Sequence, residues 1–247
     1  MERLKCVIQY DGTNYSGFQI QPNGVTIQGK IEQALTKMHK GEYIRVIPSG
    51  RTDKGVHAMG QVIHFDTTIQ IEAFKWKRAL QTLLPADIKV KSVEKAEKTF
   101  HAQHDTIGKE YRYFVLHQKE TDIFRRHYTY HVPFDLDVAA IQEACTYVLG
   151  THDFTSFCSM KTHIKGEKVR TISEASCIKE GNELIFTFKG DGFLYNMVRI
   201  LVGTFLAVGK GYFQPEDVRE MLEAKDRTKS GMTAPANGLF LWDVLYK

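Results

Sequence analysis

A short loop in the first quarter of the chain gathers residue types that could carry out catalysis. Its sequence, Gly50-Arg51-Thr52-Asp53-Lys54-Gly55-Val56-His57-Ala58, places the carboxylate of Asp53 between two cations. A carboxylate flanked by Arg51 and Lys54 is expected to stay ionised at neutral pH, which suits a nucleophile or a base and disfavours a proton-donating acid. The structural alternative is a turn in which Asp53 only caps backbone N–H groups.

A second candidate is Arg199, which lies in the middle of a segment from Phe193 to Val208 that is apolar on nearly every side. Such a helix is expected to be buried, and a buried guanidinium without a carboxylate is strongly unfavourable. No acid stands four residues away, so a partner would come from elsewhere in the chain, with Asp53 as a candidate. Alternatively, Arg199 reaches solvent along a narrow polar side of the helix.

Aromatic and cationic residues alternate in the segment Lys109-Glu110-Tyr111-Arg112-Tyr113-Phe114. In a strand, Tyr111 and Tyr113 share one face and Arg112 lies on the other. This pattern is typical of surfaces where nucleic-acid bases stack on rings and phosphates meet cations. Tyrosines that merely pack a half-buried sheet are the alternative.

The elements that must position these residues follow from the hydrophobic periodicity. The first half is predicted to contain, in order, a strand, a helix, two strands, a helix and a strand. These are the strand Lys5–Tyr10, a helix from Thr26 to near Gly41, the strands Ile44–Ile47 and Gln61–Phe65, the helix Glu72–Leu84, and a strand containing Ile88, Val90 and Val93.

The second half repeats this element order without evident residue identity. Its predicted elements are the strand Glu110–Leu116, the helix Val138–Leu149, a hairpin of Thr171–Ile178 and Leu184–Phe188, the helix Phe193–Val208, a helix beginning at Pro215, and the strand Leu239–Leu245. We therefore predict an α+β protein with two ferredoxin-like or RRM-like βαββαβ halves, 1–103 and 104–247, whose antiparallel sheets form a central cleft. The first half would carry the Asp53 loop, and the second would carry Tyr111 and Arg199.

The composition of the 247 residues is that of an ordinary globular protein, which excludes long disorder, collagen and disulfide scaffolds. The net charge of +4 conceals an asymmetry: residues 1–103 hold 15 Lys and Arg against 10 Asp and Glu, whereas residues 104–247 hold 18 against 19. A surplus of positive charge in the first half is compatible with a polyanionic partner and with an ordinary solvated surface.

No signal peptide, membrane-spanning segment, phosphate-binding P-loop or dinucleotide fingerprint is evident, so we expect a cytoplasmic protein without a cofactor. The four cysteines form no C-x-x-C pair and are expected to be buried free thiols. His152, Cys158 and His163 lie near one another, but their spacing matches no familiar zinc site, and no metal is expected.

These segments together resemble the TruA-type tRNA pseudouridine synthases. The matching features run through nearly the whole chain, and the loop pattern Gly-Arg-Thr-Asp-x-Gly-Val-His-Ala is highly specific. They comprise Tyr10–Gln19, Gly50–Ala58, Phe100-His101-Ala102, Lys109–Tyr113, Asp153–Phe157, Met197-Val198-Arg199 and Ala234–Leu239.

The resemblance implies isomerisation of uridine to pseudouridine in the anticodon stem-loop of tRNA, at positions 38–40. It implies that Asp53 is the nucleophile, that Tyr111 stacks on the flipped uracil, and that Arg199 pairs with Asp53. Arg51 is expected to meet phosphates or to assist base flipping. The resemblance further implies a homodimer that binds tRNA in a basic cleft and needs no metal or cofactor.

Two other functions are compatible with the same residues. One is a non-catalytic RNA-binding module that uses the aromatic residues on its strands, although no full RNP1 pattern is present. The other is a glycoside or nucleoside hydrolase in which Asp53 works with a second acid such as Asp11 or Asp66.

Overall fold

The computed structural model describes residues 1–160 and 166–247 and confirms the α+β class. Within those ranges the strands and α-helices are, in chain order, β1 (Glu2–Tyr10), α1 (Ile27–Met38), β2 (Ile47–Pro48), β3 (His57–Thr67), α2 (Ala73–Leu83), β4 (Ile88–Ala96), β5 (Thr106–Leu116), β6 (Tyr130–His131), α3 (Val138–Thr146), β7 (Gly150–Asp153), β8 (Val169–Glu180), β9 (Glu183–Gly190), α4 (Met197–Gly209), α5 (Asp217–Ala224) and β10 (Leu239–Tyr246).

The chain divides into two compact units. The first unit comprises residues 1–107 together with 240–247, and the second comprises 108–239. The sequence-based boundary between residues 103 and 104 lies four residues from the first junction. The last eight residues return to the first unit, which is a long-range placement that no local pattern indicates.

In the first unit the strand order is β4-β1-β3, with β2 paired to the remaining edge of β3. This order and the antiparallel pairing are those of a ferredoxin-like sheet, as the predicted element order requires. Beside β2, the same edge of β3 also receives β10, which pairs in parallel at Phe240–His57 and Leu241–Ala58.

The periodic residues of the first unit form its core. Alternate β1 side chains are buried, and helix α1 buries Ile27, Ile31 and Leu35 along one stripe. Thr26 is the N-cap of helix α1, and its side chain accepts a hydrogen bond from the backbone N–H of Gly29.

The predicted strand Ile44–Ile47 is wrong over most of its length, because only Ile47–Pro48 pairs with β3. Ile44 and Val46 are buried as their apolar character requires. However, the backbone N–H of Val46 donates to the Glu32 carboxylate and its carbonyl accepts from Gln28. Side chains of helix α1 therefore satisfy the backbone groups that a sheet neighbour would otherwise bind.

In the second unit, β5, β9, β8 and β7 pair in that order, all antiparallel, and the short β6 pairs in parallel with β5. The predicted hairpin is confirmed, with its turn at Gly181, whose φ is +57°. Helix α3 packs against β8 and α4. Helix α4 is buried along most of its length, as its apolar sequence predicts.

Two helix starts in the second unit differ from the prediction. Helix α4 begins at Met197 rather than Phe193, because Asn196 adopts a left-handed conformation with φ +61° that interrupts regular helix geometry. Pro215 precedes helix α5, whose first residue is Asp217. Across residues 1–160 and 166–247, no helix is both long and apolar enough to cross a bilayer.

Candidate active site

The Asp53 loop connects β2 to β3 in the first unit and alternates buried anchors with exposed charges. Thr52 and Val56 are buried, Asp53 is partly exposed, and Arg51 and Lys54 are exposed. The loop turns back on itself through a hydrogen bond in which the Val56 N–H donates to the Asp53 carbonyl at 3.1 Å. The partly exposed Asp53 therefore lies between two buried neighbours, Thr52 and Val56.

The turn that follows β1 packs its backbone directly against this loop. A Cβ on Gly12 would lie 2.0 Å from the carbonyl oxygen of Val56, and one on Gly17 would lie 2.8 Å from that of Thr52. The Thr52 carbonyl also accepts a hydrogen bond from the N–H of Phe18 at 3.0 Å. Glycine is therefore required at both positions for the turn after β1 to approach the Asp53 loop this closely. At Gly17 the φ of +91° also favours glycine, because other residues rarely adopt it.

Buried polar side chains hold the loop from the strand side. The Tyr10 hydroxyl lies 2.8 Å from Thr52 Oγ1. The Gln61 amide donates to the Gly50 carbonyl at 2.8 Å and accepts from the Ser49 hydroxyl at 2.7 Å. Sequence reasoning did not single out Thr52 or Gln61. Gln61 could have been noticed as a glutamine at the start of an apolar strand, because a buried amide must hydrogen-bond to polar partners.

His57 was also not singled out, and it joins three parts of the first unit. Its Nδ1 accepts a hydrogen bond from the Gly12 N–H at 3.0 Å and lies 3.2 Å from Asp11 Oδ1. Its ring stacks on Phe240 of β10 with centroids 4.6 Å apart. The imidazole is buried, so it acts as a structural tie between the turn after β1, the Asp53 loop and β10.

In the second unit, Tyr111 and Tyr113 share one face of β5 but differ in their surroundings. Tyr113 is fully buried and its hydroxyl donates to the Pro235 carbonyl at 2.8 Å, which makes it a core residue. Tyr111 retains 8% exposure and meets Phe193 edge-on with ring centroids 5.0 Å apart. Arg112 pairs with Glu110 at 2.7 Å. Of the two tyrosines, Tyr111 is the one that keeps an exposed part.

Arg199 is partly buried on helix α4, and two neutral acceptors of the second unit hold its guanidinium. Its Nε donates to the Ala234 carbonyl at 2.7 Å, and Nη1 donates to Asn196 Oδ1 at 2.9 Å. The Ala234 N–H in turn donates to the Arg199 carbonyl at 3.0 Å. A guanidinium has five N–H donors in a planar fork, and these two hydrogen bonds fix the orientation of that fork.

The structure therefore describes Asp53 and Arg51 in the first unit and Tyr111 and Arg199 in the second. Their joint action stays a prediction.

The hydrolase alternative required a second acid, and Asp66 does not meet that requirement. It accepts two hydrogen bonds from Arg3, at 2.7 and 2.8 Å, and this guanidinium lowers the pKa of the Asp66 carboxyl. Asp66 lies nine positions after His57 along β3, a span of roughly 30 Å at about 3.3 Å per residue. Paired glycosidase carboxyls lie about 5 to 9.5 Å apart, so Asp66 cannot partner Asp53.

We expect Asp66→Asn to lower the free energy of unfolding by about 1 kcal/mol at pH 7 and to leave the tRNA modification that the resemblance implies unchanged. The folded state depresses the pKa of Asp66, so its stabilising effect is present above the ordinary carboxyl pKa and is lost as the pH falls through the depressed value. The difference between wild type and variant in urea unfolding should accordingly shrink below about pH 4. Loss of activity without loss of stability would contradict this assignment.

Asp11, the other acid considered, does lie beside the loop. Its Oδ1 accepts from the N–H of Thr13 at 2.9 Å and faces His57. These contacts give Asp11 a structural role in the turn after β1. The reaction products, rather than the position of Asp11, must therefore discriminate hydrolysis from isomerisation.

Residues 1–160 and 166–247 contain no group of three or more His, Cys, Asp or Glu that could hold a metal ion. Of the zinc candidates, His152 bonds to the Leu149 carbonyl at 2.7 Å and Cys158 is buried. His163 lies outside the described residues. All four cysteines are buried free thiols, as predicted.

Comparison with known proteins covers nearly the whole chain. The sequence model of a family described as tRNA pseudouridine synthase matches residues 6–105 and 144–247. Over all 247 residues the chain is 51% identical to tRNA pseudouridine synthase A of Oceanobacillus iheyensis, covering 98% of that protein. It is 53% identical to tRNA pseudouridine synthase A 1 of Bacillus cereus and 54% identical to tRNA pseudouridine synthase A of Exiguobacterium sibiricum, covering all of this chain and 99% and 97% of those proteins.

A solved chain from a Cbf5-Nop10-Gar1 complex aligns with 82% of this chain and with 54% of its own length, at 15% sequence identity and a TM-score of 0.32. The sequence matches confirm the resemblance identified from the Gly50–Ala58 loop and the segments around it. By the extent of the family match and the identity to full-length relatives, the chain belongs to the tRNA pseudouridine synthase family of isomerases.

Proposed function

We propose that this protein converts uridines of the tRNA anticodon stem-loop to pseudouridine, with Asp53 as the nucleophile. The observation that carries the proposal is the Asp53 loop: a partly exposed carboxylate on a backbone fixed by buried neighbours, between two exposed cations. The sequence of this loop is also the most specific point of similarity to the family.

The reaction determines what the protein must supply. The N1–C1′ glycosidic bond breaks, the detached uracil turns, and a C5–C1′ bond forms; C5 loses its proton and N1 gains one, so the reaction is an isomerisation. A hydrolase uses two carboxyl groups, one to protonate the leaving group and one to activate water or to attack. An isomerase must instead exclude water and hold the uracil for reattachment, for which one oriented carboxylate in a dry site suffices.

The other residues have complementary roles in this proposal. Tyr111 stacks on the flipped uracil and offsets part of the few kcal/mol that unstacking costs. Arg199, already oriented by Ala234 and Asn196, pairs with the Asp53 carboxylate and keeps it ionised. Arg51 is exposed beside Asp53 and contacts tRNA phosphates, which positions the substrate without reading its sequence.

The charge surplus of residues 1–103 supports a polyanionic substrate. Neutralising phosphates with Lys and Arg makes affinity fall steeply with salt, so binding should weaken as ionic strength rises. The resemblance to the family also supports a homodimer that acts in the cytoplasm, where tRNA is available.

The proposal is tested by incubating the protein with unmodified tRNA transcripts and mapping pseudouridine at single-nucleotide level. We expect modification within the anticodon stem-loop and no release of uracil. Modification confined to another part of the tRNA would overturn the proposed substrate site. Accumulation of free uracil would identify a hydrolase, and binding without any change in the uridines would identify a non-catalytic RNA-binding module.

A further inference from the structure

Four buried polar side chains of the first unit, Tyr10, Ser49, Thr52 and Gln61, form what we call the loop clamp. Tyr10 bonds to Thr52 at 2.8 Å, and Ser49 bonds to Gln61 at 2.7 Å. All four are at most 6% exposed. Ser49 and Thr52 belong to the segment that leads into Asp53, whereas Tyr10 and Gln61 belong to β1 and β3.

The clamp fixes the backbone immediately before Asp53. Gln61 holds the carbonyl of Gly50, and Tyr10 holds the side chain of Thr52, the residue next to the carboxylate. The carbonyl of Thr52 is occupied separately by the N–H of Phe18. The Gly50 carbonyl, the Thr52 hydroxyl and the Thr52 carbonyl are thus all hydrogen-bonded. Their partners lie on β3, on β1 and in the turn after β1, respectively.

Apolar side chains of the same shape could replace the hydrogen-bonded pairs of the loop clamp with little change in the free energy of unfolding. Replacing both partners of a buried hydrogen bond by apolar groups of the same shape is often nearly neutral. Hydrogen bonds differ from apolar contacts in that they fix direction and distance. A clamp of hydroxyls and an amide is therefore suited to determining where the loop backbone lies.

The clamp also remains in one protonation state. Burial raises the pKa of Tyr10 to about 12, so its phenol stays neutral through the pH range in which enzymes act. Ser49, Thr52 and Gln61 do not titrate in that range. Changes to the clamp should therefore alter the rate of the chemical step without moving the pH profile.

We propose that Thr52 is a positioning residue for isomerisation and that its hydroxyl, held by Tyr10, sets the direction in which the Asp53 carboxylate is presented. This inference rests on the proposed function, in which Asp53 is the nucleophile. A displacement of about 1 Å in a reacting group can cost about 100-fold in rate. The loop clamp acts through Asp53 and does not itself touch the substrate.

The test compares Thr52→Val, which removes the hydroxyl at constant shape, with Thr52→Ser, which keeps it. We expect Thr52→Val to lower kcat by about 10- to 100-fold with little change in KM or in the pH profile, and Thr52→Ser to restore most of kcat. Single-turnover pseudouridine formation at saturating protein measures the chemical step directly.

Thr67→Val is the matched control. Thr67 is fully buried at the other end of β3, and its Oγ1 bonds to His39 Nε2 at 2.7 Å and accepts from the Ile69 N–H at 3.0 Å. The same chemical change there should lower the melting temperature and leave kcat unchanged. A wild-type kcat in Thr52→Val, or an equal loss in Thr67→Val, would overturn the role of Thr52.

If Thr52→Val does not fold, Tyr10→Phe removes the same hydrogen bond from the opposite side while keeping the ring, and the same fall in kcat is expected. Failure of the inference is distinguishable from failure of the proposed function. Full activity in Asp53→Ala would refute the proposed nucleophile, whereas an inactive Asp53→Ala beside a fully active, folded Thr52→Val would refute the clamp alone.

Discussion

Asp53→Asn and Asp53→Ala are expected to reduce pseudouridine formation by about four orders of magnitude or more, because removing a nucleophile eliminates the reaction route itself. Asparagine keeps the shape of the side chain and removes its charge. Because Asp53 is partly exposed and lies outside the core, the melting temperature should stay close to that of the wild type. The measurement is single-turnover modification of a tRNA transcript at saturating protein.

Asp66→Asn is the matched control for this substitution. It makes the same acid-to-amide change in the same unit, at a carboxylate already engaged by Arg3. We expect both variants to bind tRNA and only Asp53→Asn to lose catalysis. A tenfold fall in rate corresponds to about 1.4 kcal/mol of activation free energy. If Asp53→Asn modifies tRNA at more than a tenth of the wild-type rate, Asp53 is not the nucleophile.

Tyr111 gives the second large effect, and the substitutions should separate stacking from hydrogen bonding. Tyr111→Phe keeps the ring and is expected to retain much of the activity. Tyr111→Ala removes the ring, and the loss of a base–aromatic stack worth about 1 to 3 kcal/mol corresponds to a fall of roughly 5- to 150-fold in kcat/KM. The measurement is modification of a limiting amount of tRNA over a range of protein concentrations.

Burial complicates the alanine variant, because Tyr111 packs edge-on against Phe193 and its removal leaves a cavity. Tyr111→Leu addresses this problem, since leucine fills much of the space without offering a flat face to the base. Under a stacking role, Tyr111→Leu should resemble alanine in activity while melting nearer to the wild type. Equal activities for phenylalanine, leucine and alanine would argue against stacking.

The parts of the fold that sequence reasoning predicted are those governed by local periodicity. The apolar spacing of helix α1 is an example, because its cause lies within a few residues. The shortened β2 could not be foreseen in this way. Its outcome depends on Glu32 and Gln28 reaching Val46 from a helix earlier in the chain.

In the candidate site, too, the residues predicted from the sequence are those that a local pattern marks. The Asp53 loop was recognisable because its charges and glycines are adjacent in sequence. Arg199 stood out as a cation within an apolar helix, and Tyr111 stood out in an alternation of aromatic and cationic residues. Family resemblance then implied a role for each of the three. Thr52 and Gln61 drew no attention because a threonine or glutamine acquires meaning only through a distant partner, here Tyr10 and the Gly50 carbonyl. The chemical roles of Asp53, Tyr111 and Arg199 stay predictions until the variants are measured.

The return of residues 240–247 to the first unit has a consequence for synthesis of the protein. A ribosome translates residues 1–107 first, yet the strand that pairs with His57 and Ala58 is translated only after residues 108–239. Until then, His57 lacks the aromatic ring of Phe240 against which it stacks. The unit that carries the Asp53 loop is therefore begun before the second unit and is completed only after the whole of the second unit has been synthesised.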